Sequence, residues 1–172
     1  MLDYTKLEIE DDLVKPTDAE LKKAGWPTKG EIEFTNVTMT YREELPPAIK
    51  NLSFKVEAGM KIGIVGRTGS GKSSILQTLF RLVDLNQGTI TIDGENINKA
   101  GLHLLRKQIA FIPQSPFLIQ GTIRENLDPF NELTDKEIDE VVQEVNLSEK
   151  IASMPLGINT YCSEANNLFS VG

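Results

Sequence analysis

The sequence is short of nearly every residue type that marks a stapled or metal-built protein. It has one cysteine, Cys162, in 172 residues. An intrachain disulfide is excluded, and a reducing compartment fits. Cys162 reads as a buried or surface thiol rather than a nucleophile. Histidine is equally scarce. His103 stands alone, in GLHLLRKQIA, with no nucleophile or metal ligand beside it, and reads as a helix-surface residue. Basic charge is in deficit: 18 Lys and Arg face 25 Asp and Glu, a net charge of -7. General nucleic-acid binding needs a basic face, so nucleic acid is not an expected partner. Any polyanion must be held by a local device. No apolar run approaches the roughly 20 residues that span a bilayer, so these residues are not expected to insert into a membrane, though they can sit against a membrane protein. The acidic start MLDYTKLEIEDDL lacks the apolar core of a signal peptide. There is no internal repeat and no low-complexity tract.

What is present is ordinary for a globular domain: 40% hydrophobic and 25% charged residues. Residues 1–30 read as a linker or extension with no strong helical or strand period. It ends at GWPTKG, where Trp26 and Pro27 are expected to pin it to the domain surface. Regular patterning begins at Glu31. EIEFTNVTMTY alternates as a half-buried strand with a bulge or shift, and IKNLSFKVEAG alternates at Leu52, Phe54 and Val56 before a Gly turn. KIGIVG and QIAFIPQ are short apolar runs, read as fully buried parallel strands. Between them, KSSILQTLFRLVD places Ile75, Leu76, Leu79, Phe80 and Val83 at helical spacing, and GTITIDG alternates into an Asp-Gly turn. TDKEIDEVVQEV opens with a Thr134…Glu137 capping box and carries an apolar face of Ile138, Val141, Val142 and Val145. Early antiparallel strands, an alternating middle and late helices predict an α/β core with a β edge and a helical insert.

The strongest motif is GRTGSGKS, Gly66-Arg67-Thr68-Gly69-Ser70-Gly71-Lys72-Ser73. It fits G-x-x-x-x-G-K-[ST], the phosphate-binding loop, and stands between a predicted strand and an amphipathic helix as that motif requires. Glycines let the chain turn tightly, so that successive N–H groups converge into an anion nest. The following helix adds its positive dipole end. Lys72 is expected to reach the β- and γ-phosphates and Ser73 to ligate Mg²⁺, with Ser74 completing the loop. Arg67 and Thr68 are variable positions of the motif and receive no chemistry. This device lets an acidic chain hold a polyanion.

Three weaker features accompany the loop. Tyr41 ends a predicted strand and is placed to stack on a nucleobase; a strand-edge tyrosine with its hydroxyl in water is the other reading. Gln114 follows the second apolar run in FIPQSPF, at a strand end on the same side as the loop, where a neutral amide can ligate Mg²⁺ or orient water. NLFSVG, at Asn167 to Gly172, places a Ser and a Gly to begin a helix.

Together these residues resemble the nucleotide-binding domain of an ATP-binding cassette (ABC) transporter: aromatic loop Tyr41, Walker A Gly66 to Ser73, Q-loop Gln114, signature loop Phe169-Ser170-Val171-Gly172. The resemblance runs from about Gly30 to Gly172. GTIRENLDPF looks like the multidrug-resistance-associated (C) subfamily, and IVGRTGSGKSS with NLFSVG looks like its second, C-terminal cassette. The resemblance implies a P-loop NTPase fold with an N-terminal antiparallel β subdomain and a helical subdomain at residues 115–168. Residues 1–30 then correspond to the linker after the last transmembrane helix, and 31–172 to a partial cassette. ATP and Mg²⁺ are the implied cofactors. A second cassette and transmembrane domains are the implied partners, on the cytoplasmic face of a membrane. ATP would lie between the Walker A loop of one cassette and the signature loop, here Ser170 and Gly172, of the other.

The signature has Phe169 and Val171 where the family pattern has Leu and Gly, variants known within the subfamily. The sequence reaches no further than that loop. The family's Walker B strand, its Mg²⁺-binding Asp, the catalytic Glu and the switch His lie downstream and have no counterpart here. Asp93 and Glu95 in TITIDGEN are the nearest acidic candidates, but a hairpin turn fits that segment better. The expectation is an incomplete cassette that binds ATP at most, holds no catalytic residue of its own, and leaves KIGIVG with an exposed strand edge. A missing general base is worth roughly 10²–10⁴-fold in rate. The alternative is a non-hydrolytic regulatory module that pairs with a complete cassette.

Overall fold

A computed structural model describes residues 9–113 and 117–162. The chain divides into two compact units, Met1–Ala110 and Phe111–Gly172.

The first unit is built on a four-stranded antiparallel sheet in the order β2-β1-β3-β4. Its strands are β1 (Ile32–Met39), β2 (Ile49–Val56), β3 (Gln87–Ile92) and β4 (Glu95–Asn96). The buried positions of β1 are Phe34, Val37 and Met39. A strict two-residue period cannot send both 34 and 37 to one face. The strand resolves this with a bulge: Asn36 takes a positive φ of 50°, and the register against β2 shifts between Phe34 and Val37. Phe34 stands directly opposite Phe54, their rings stacked with centroids 4.6 Å apart. The β3–β4 hairpin turns at Asp93-Gly94, both with positive φ, as the Asp-Gly pair requires. Ile90, Ile97 and Leu105 close the core with the β1 residues.

Two helices flank the sheet sequence, α2 (Lys72–Leu79) and α3 (Leu102–Lys107). A short helix α1 (Asp18–Lys23) forms within the stretch read as an extension. That stretch is held down at many points. Asp18 accepts from the Gly101 N–H at 2.7 Å, and the Trp26 indole donates to the Ile92 carbonyl at 2.8 Å. The Leu102 and His103 N–H groups donate to the Asp12 and Leu13 carbonyls. Arg81 pairs with Asp11, and Arg106 with Glu10 at 2.8 Å. Trp26 is buried, as its apolar ring demands.

Two sequence expectations fail here. KIGIVG forms no strand, and Ile62, Ile64 and Val65 are exposed at 48%, 44% and 97%. QIAFIPQ forms no strand over its described residues, with Ile112 90% exposed. The reason is pairing. A strand exists only where a neighbour completes its ladder, and among the described residues no strand pairs with either run. The helix read through Val83 also ends early. Arg81 adopts a left-handed φ of 51°, so α2 closes at Leu79. Val83 still packs on the core, from outside the helix.

The second unit holds a two-stranded antiparallel pair, β5 (Gly121–Thr122) with β6 (Tyr161–Cys162), and the helices α4 (Ile123–Leu127), α5 (Asp135–Glu144) and α6 (Ser148–Ala152). Capping boxes start two of these helices, Thr122 with Glu125 and Thr134 with Glu137. Ile123, Ile138, Val142, Ile151 and Cys162 form its core. Of the face read on α5, Ile138 and Val142 are buried, while Val141 and Val145 are 44% and 56% exposed. Cys162 is 1% exposed, and burial pushes its thiol up, which leaves it unreactive.

Candidate functional site

The site lies in the first unit, where the chain passes from the unpaired run at 61–65 into α2. A turn closes between the Ser70 N–H and the Arg67 carbonyl at 3.1 Å. Gly71 then hands the chain to the helix with φ 86°, a left-handed value that favours glycine. A Cβ on Gly71 would also lie 2.5 Å from the Ala48 carbonyl oxygen, and one on Gly66 would lie 2.5 Å from Ser70 Oγ. Backbone conformation and close approach act together at Gly71, while at Gly66 it is the Ser70 hydroxyl that stands close.

No side chain caps α2: Gly71 offers none, and the first helical bond runs from the Ile75 N–H to the Gly71 carbonyl at 3.2 Å. The N–H groups of the first turn have no acceptor within the helix. With the dipole behind them they form a socket for an anion. Lys72 bends back across the loop, its Nζ donating to the Gly66 and Arg67 carbonyls, both at 2.8 Å. An ammonium resting on loop carbonyls is a charged donor of the kind that phosphate oxygens accept from. Residues 66–70 and Ser73 are exposed, while Gly71 and Lys72 are half-buried.

The donor set fits a polyphosphate. It fits Mg²⁺ only with help from that polyphosphate. Among the described residues no group of three or more His, Cys, Asp or Glu could hold a metal ion. The Ser73 hydroxyl is a neutral ligand, and Mg²⁺ completes such a site with phosphate oxygens and retained waters.

Tyr41 comes just after β1 and is 47% exposed. Its hydroxyl bonds the Ser74 hydroxyl at 2.8 Å and donates to Gln77 Oε1. Ser74 is thus turned toward Tyr41 and is 6% exposed. The aromatic side chain and the loop helix meet, which spacing in the sequence does not show. No motif in the sequence marks Gln77. Its place three residues after Ser74 puts both on one face of α2, but only the fold delivers Tyr41 to that face. Gln114, Ser170 and Gly172 lie outside the described residues.

The acidic candidates are committed elsewhere. Asp93 accepts from the Thr28, Lys29 and Gly30 N–H groups through Oδ2 and from Glu31 through Oδ1, at 2.6 to 3.2 Å. Partial burial pushes this carboxyl up, but the four N–H donors outweigh it and hold the pKa at about 2. Glu95 sits in β4 and pairs with Lys99 at 2.8 Å. The hairpin reading of TITIDGEN stands.

A glycine-built loop, an uncapped helix start and a lysine folded over both define a P-loop nucleotide-binding domain. The match to known proteins is narrower. A family model described as ABC transporter covers residues 49–169. ABC transporter C family member 6 of Dictyostelium discoideum is 50% identical over 96% of this chain and 12% of its own length. C family member 2 of the same organism is 44% identical over 96% of this chain. ATP-binding cassette sub-family C member 3 of Rattus norvegicus is 43% identical over 99% of this chain and 11% of its own length. The chain belongs to the ABC transporter family, with C-family relatives, and is an ATP-binding cassette of that family. It spans only about a tenth of the length of the relatives it matches.

Proposed function

We propose that the Gly66–Ser74 loop holds the phosphates of ATP and that the chain serves a transporter as its ATP-binding part. Lys72 leaves the Gly66 and Arg67 carbonyls for the outer phosphates. The α2 N–H groups take the phosphate oxygens, and Ser73 and Gln114 would be the residues that hold Mg²⁺. When bound, the ion would supply neutralisation of phosphate charge. Tyr41 presents its ring to the base. Ser170 and Gly172 face the nucleotide of a second cassette, and that pairing on the cytoplasmic face of a membrane couples nucleotide binding to transport through transmembrane domains. The second-cassette resemblance of IVGRTGSGKSS and NLFSVG carries the same reading.

The observation that carries this reading is the Gly71–Lys72 junction: a left-handed glycine, an uncapped helix start, and an ammonium over the loop carbonyls. Calorimetric titration of the chain with MgATP tests it. Saturable binding that Lys72→Ala weakens by at least about tenfold is expected, since a charge-assisted contact to phosphate is lost. Binding unchanged in Lys72→Ala would overturn the assignment of the cradle.

A further inference from the structure

We propose that Ser74 and Gln77 are positioning residues for nucleotide binding: they anchor the Tyr41 hydroxyl to the loop helix and thereby fix the ring that meets the base. The inference rests on the nucleotide reading above; it gives the Ser74 hydroxyl, at the end of the loop, a second role and assigns a role to Gln77, which lies outside the loop.

The geometry is specific about donors. A phenol carries one proton. Tyr41 donates it to Gln77 Oε1. The bond to Ser74 must then run the other way, with the Ser74 hydroxyl donating to the phenol oxygen at 2.8 Å. Both anchors sit on one face of α2, the helix whose first turn forms the phosphate socket. Ser74 is 6% exposed while Tyr41 is 47% exposed. The hydroxyl end of the side chain is therefore tied down and the residue keeps open surface for a partner.

The consequence is pre-organisation. An unanchored aromatic side chain at a surface loses rotamer freedom when it binds a flat ligand, and that loss weakens binding. Here the ring is already placed, and it is placed relative to the phosphate socket, because one helix carries both. The hydroxyl, not only the π face, then contributes to affinity for the base end of the ligand. It contributes nothing to the phosphate end.

That asymmetry gives the test. MgATP and sodium tripolyphosphate are titrated separately into the wild-type chain and the variants Tyr41→Phe, Ser74→Ala, Gln77→Ala and Gln77→Glu. Tyr41→Phe keeps the ring and loses the anchor. ATP binding is expected to fall about three- to tenfold in Tyr41→Phe and Gln77→Ala, the worth of one or two such hydrogen bonds. Tripolyphosphate binding by Tyr41→Phe and the two Gln77 variants should stay within about twofold of wild type, which also reports that they are folded, while Ser74→Ala, at the end of the cradle, is expected to lower ATP binding at least as much as Tyr41→Phe. Gln77→Glu keeps an acceptor and should restore ATP binding. Adding Gln77→Ala to Tyr41→Phe should cost little more, because the same anchor is already gone. Equal ATP affinity in wild type, Tyr41→Phe and Gln77→Ala would overturn the proposal while leaving the cradle intact. Parallel loss of ATP and tripolyphosphate in both Gln77 variants would overturn it too, marking a structural role. A wild-type chain that binds neither ligand would refute the nucleotide reading, and the positioning role with it.

Discussion

Gly71 carries two constraints at once, a left-handed φ of 86° and a backbone oxygen 2.5 Å from where a Cβ would stand. Gly71→Ala is therefore expected to lower stability by about 1–3 kcal/mol and to weaken nucleotide binding; the midpoint of urea unfolding reads the first and calorimetry the second. A midpoint equal to wild type would show that the turn relaxes freely. Asp93 works at the same scale in the turn between β3 and β4. Its folded pKa, about 2, lies below the unfolded value of about 3.9. A depressed carboxyl contributes stability that is present above the unfolded value and lost as pH falls through the folded one. Asp93→Asn keeps a residue that tolerates positive φ but removes the charge. It should cost about 1 kcal/mol at neutral pH and flatten the fall in stability between pH 4 and pH 2. Parallel pH–stability curves for the two proteins would contradict the role given to the Thr28–Glu31 amides.

Elements were legible where their signal is local. Alternation in β1 and β2, the Asp-Gly hairpin and the α5 capping box all depend on residues a few positions apart, and all stand in the structure. Thr134→Ala, which removes the acceptor for the Glu137 N–H, should cost about 1 kcal/mol, with loss of helical signal on thermal melting as the readout. No change would mean that α5 owes its start to packing of Ile138 alone. What was illegible depends on partners far off in sequence. KIGIVG has strand composition, but a strand needs a ladder, and none of the described residues supplies one. The helix α1 was hidden because its six residues show only Leu21 and Asp18 as buried positions, too few for a period. Tyr41 could be marked as an aromatic candidate, yet its bonds to Ser74 and Gln77 join residues 33 and 36 positions apart, which only the fold brings together.

At the scale of the molecule, the loop that holds the charge-binding groups is flanked by bare apolar surface. Ile62, Ile64 and Val65 precede it and Leu82 follows α2, all well exposed. Apolar segments with open backbone edges associate with one another or with a partner chain. The chain should self-associate across the micromolar range, read as a rise in sedimentation coefficient with concentration; a constant monomeric value would contradict this. The acidic net charge of -7 opposes a polyanion at long range, so the proposed nucleotide binding rests on the Gly66–Ser74 cradle itself. The direct test is displacement of a bound fluorescent ATP analogue by tripolyphosphate and by adenosine, in wild type and Lys72→Ala. Displacement by tripolyphosphate in the wild-type chain, with weak analogue binding in Lys72→Ala, is the predicted result. Displacement by adenosine but not tripolyphosphate, with Lys72→Ala binding as tightly as wild type, would show that phosphate is not what this site holds.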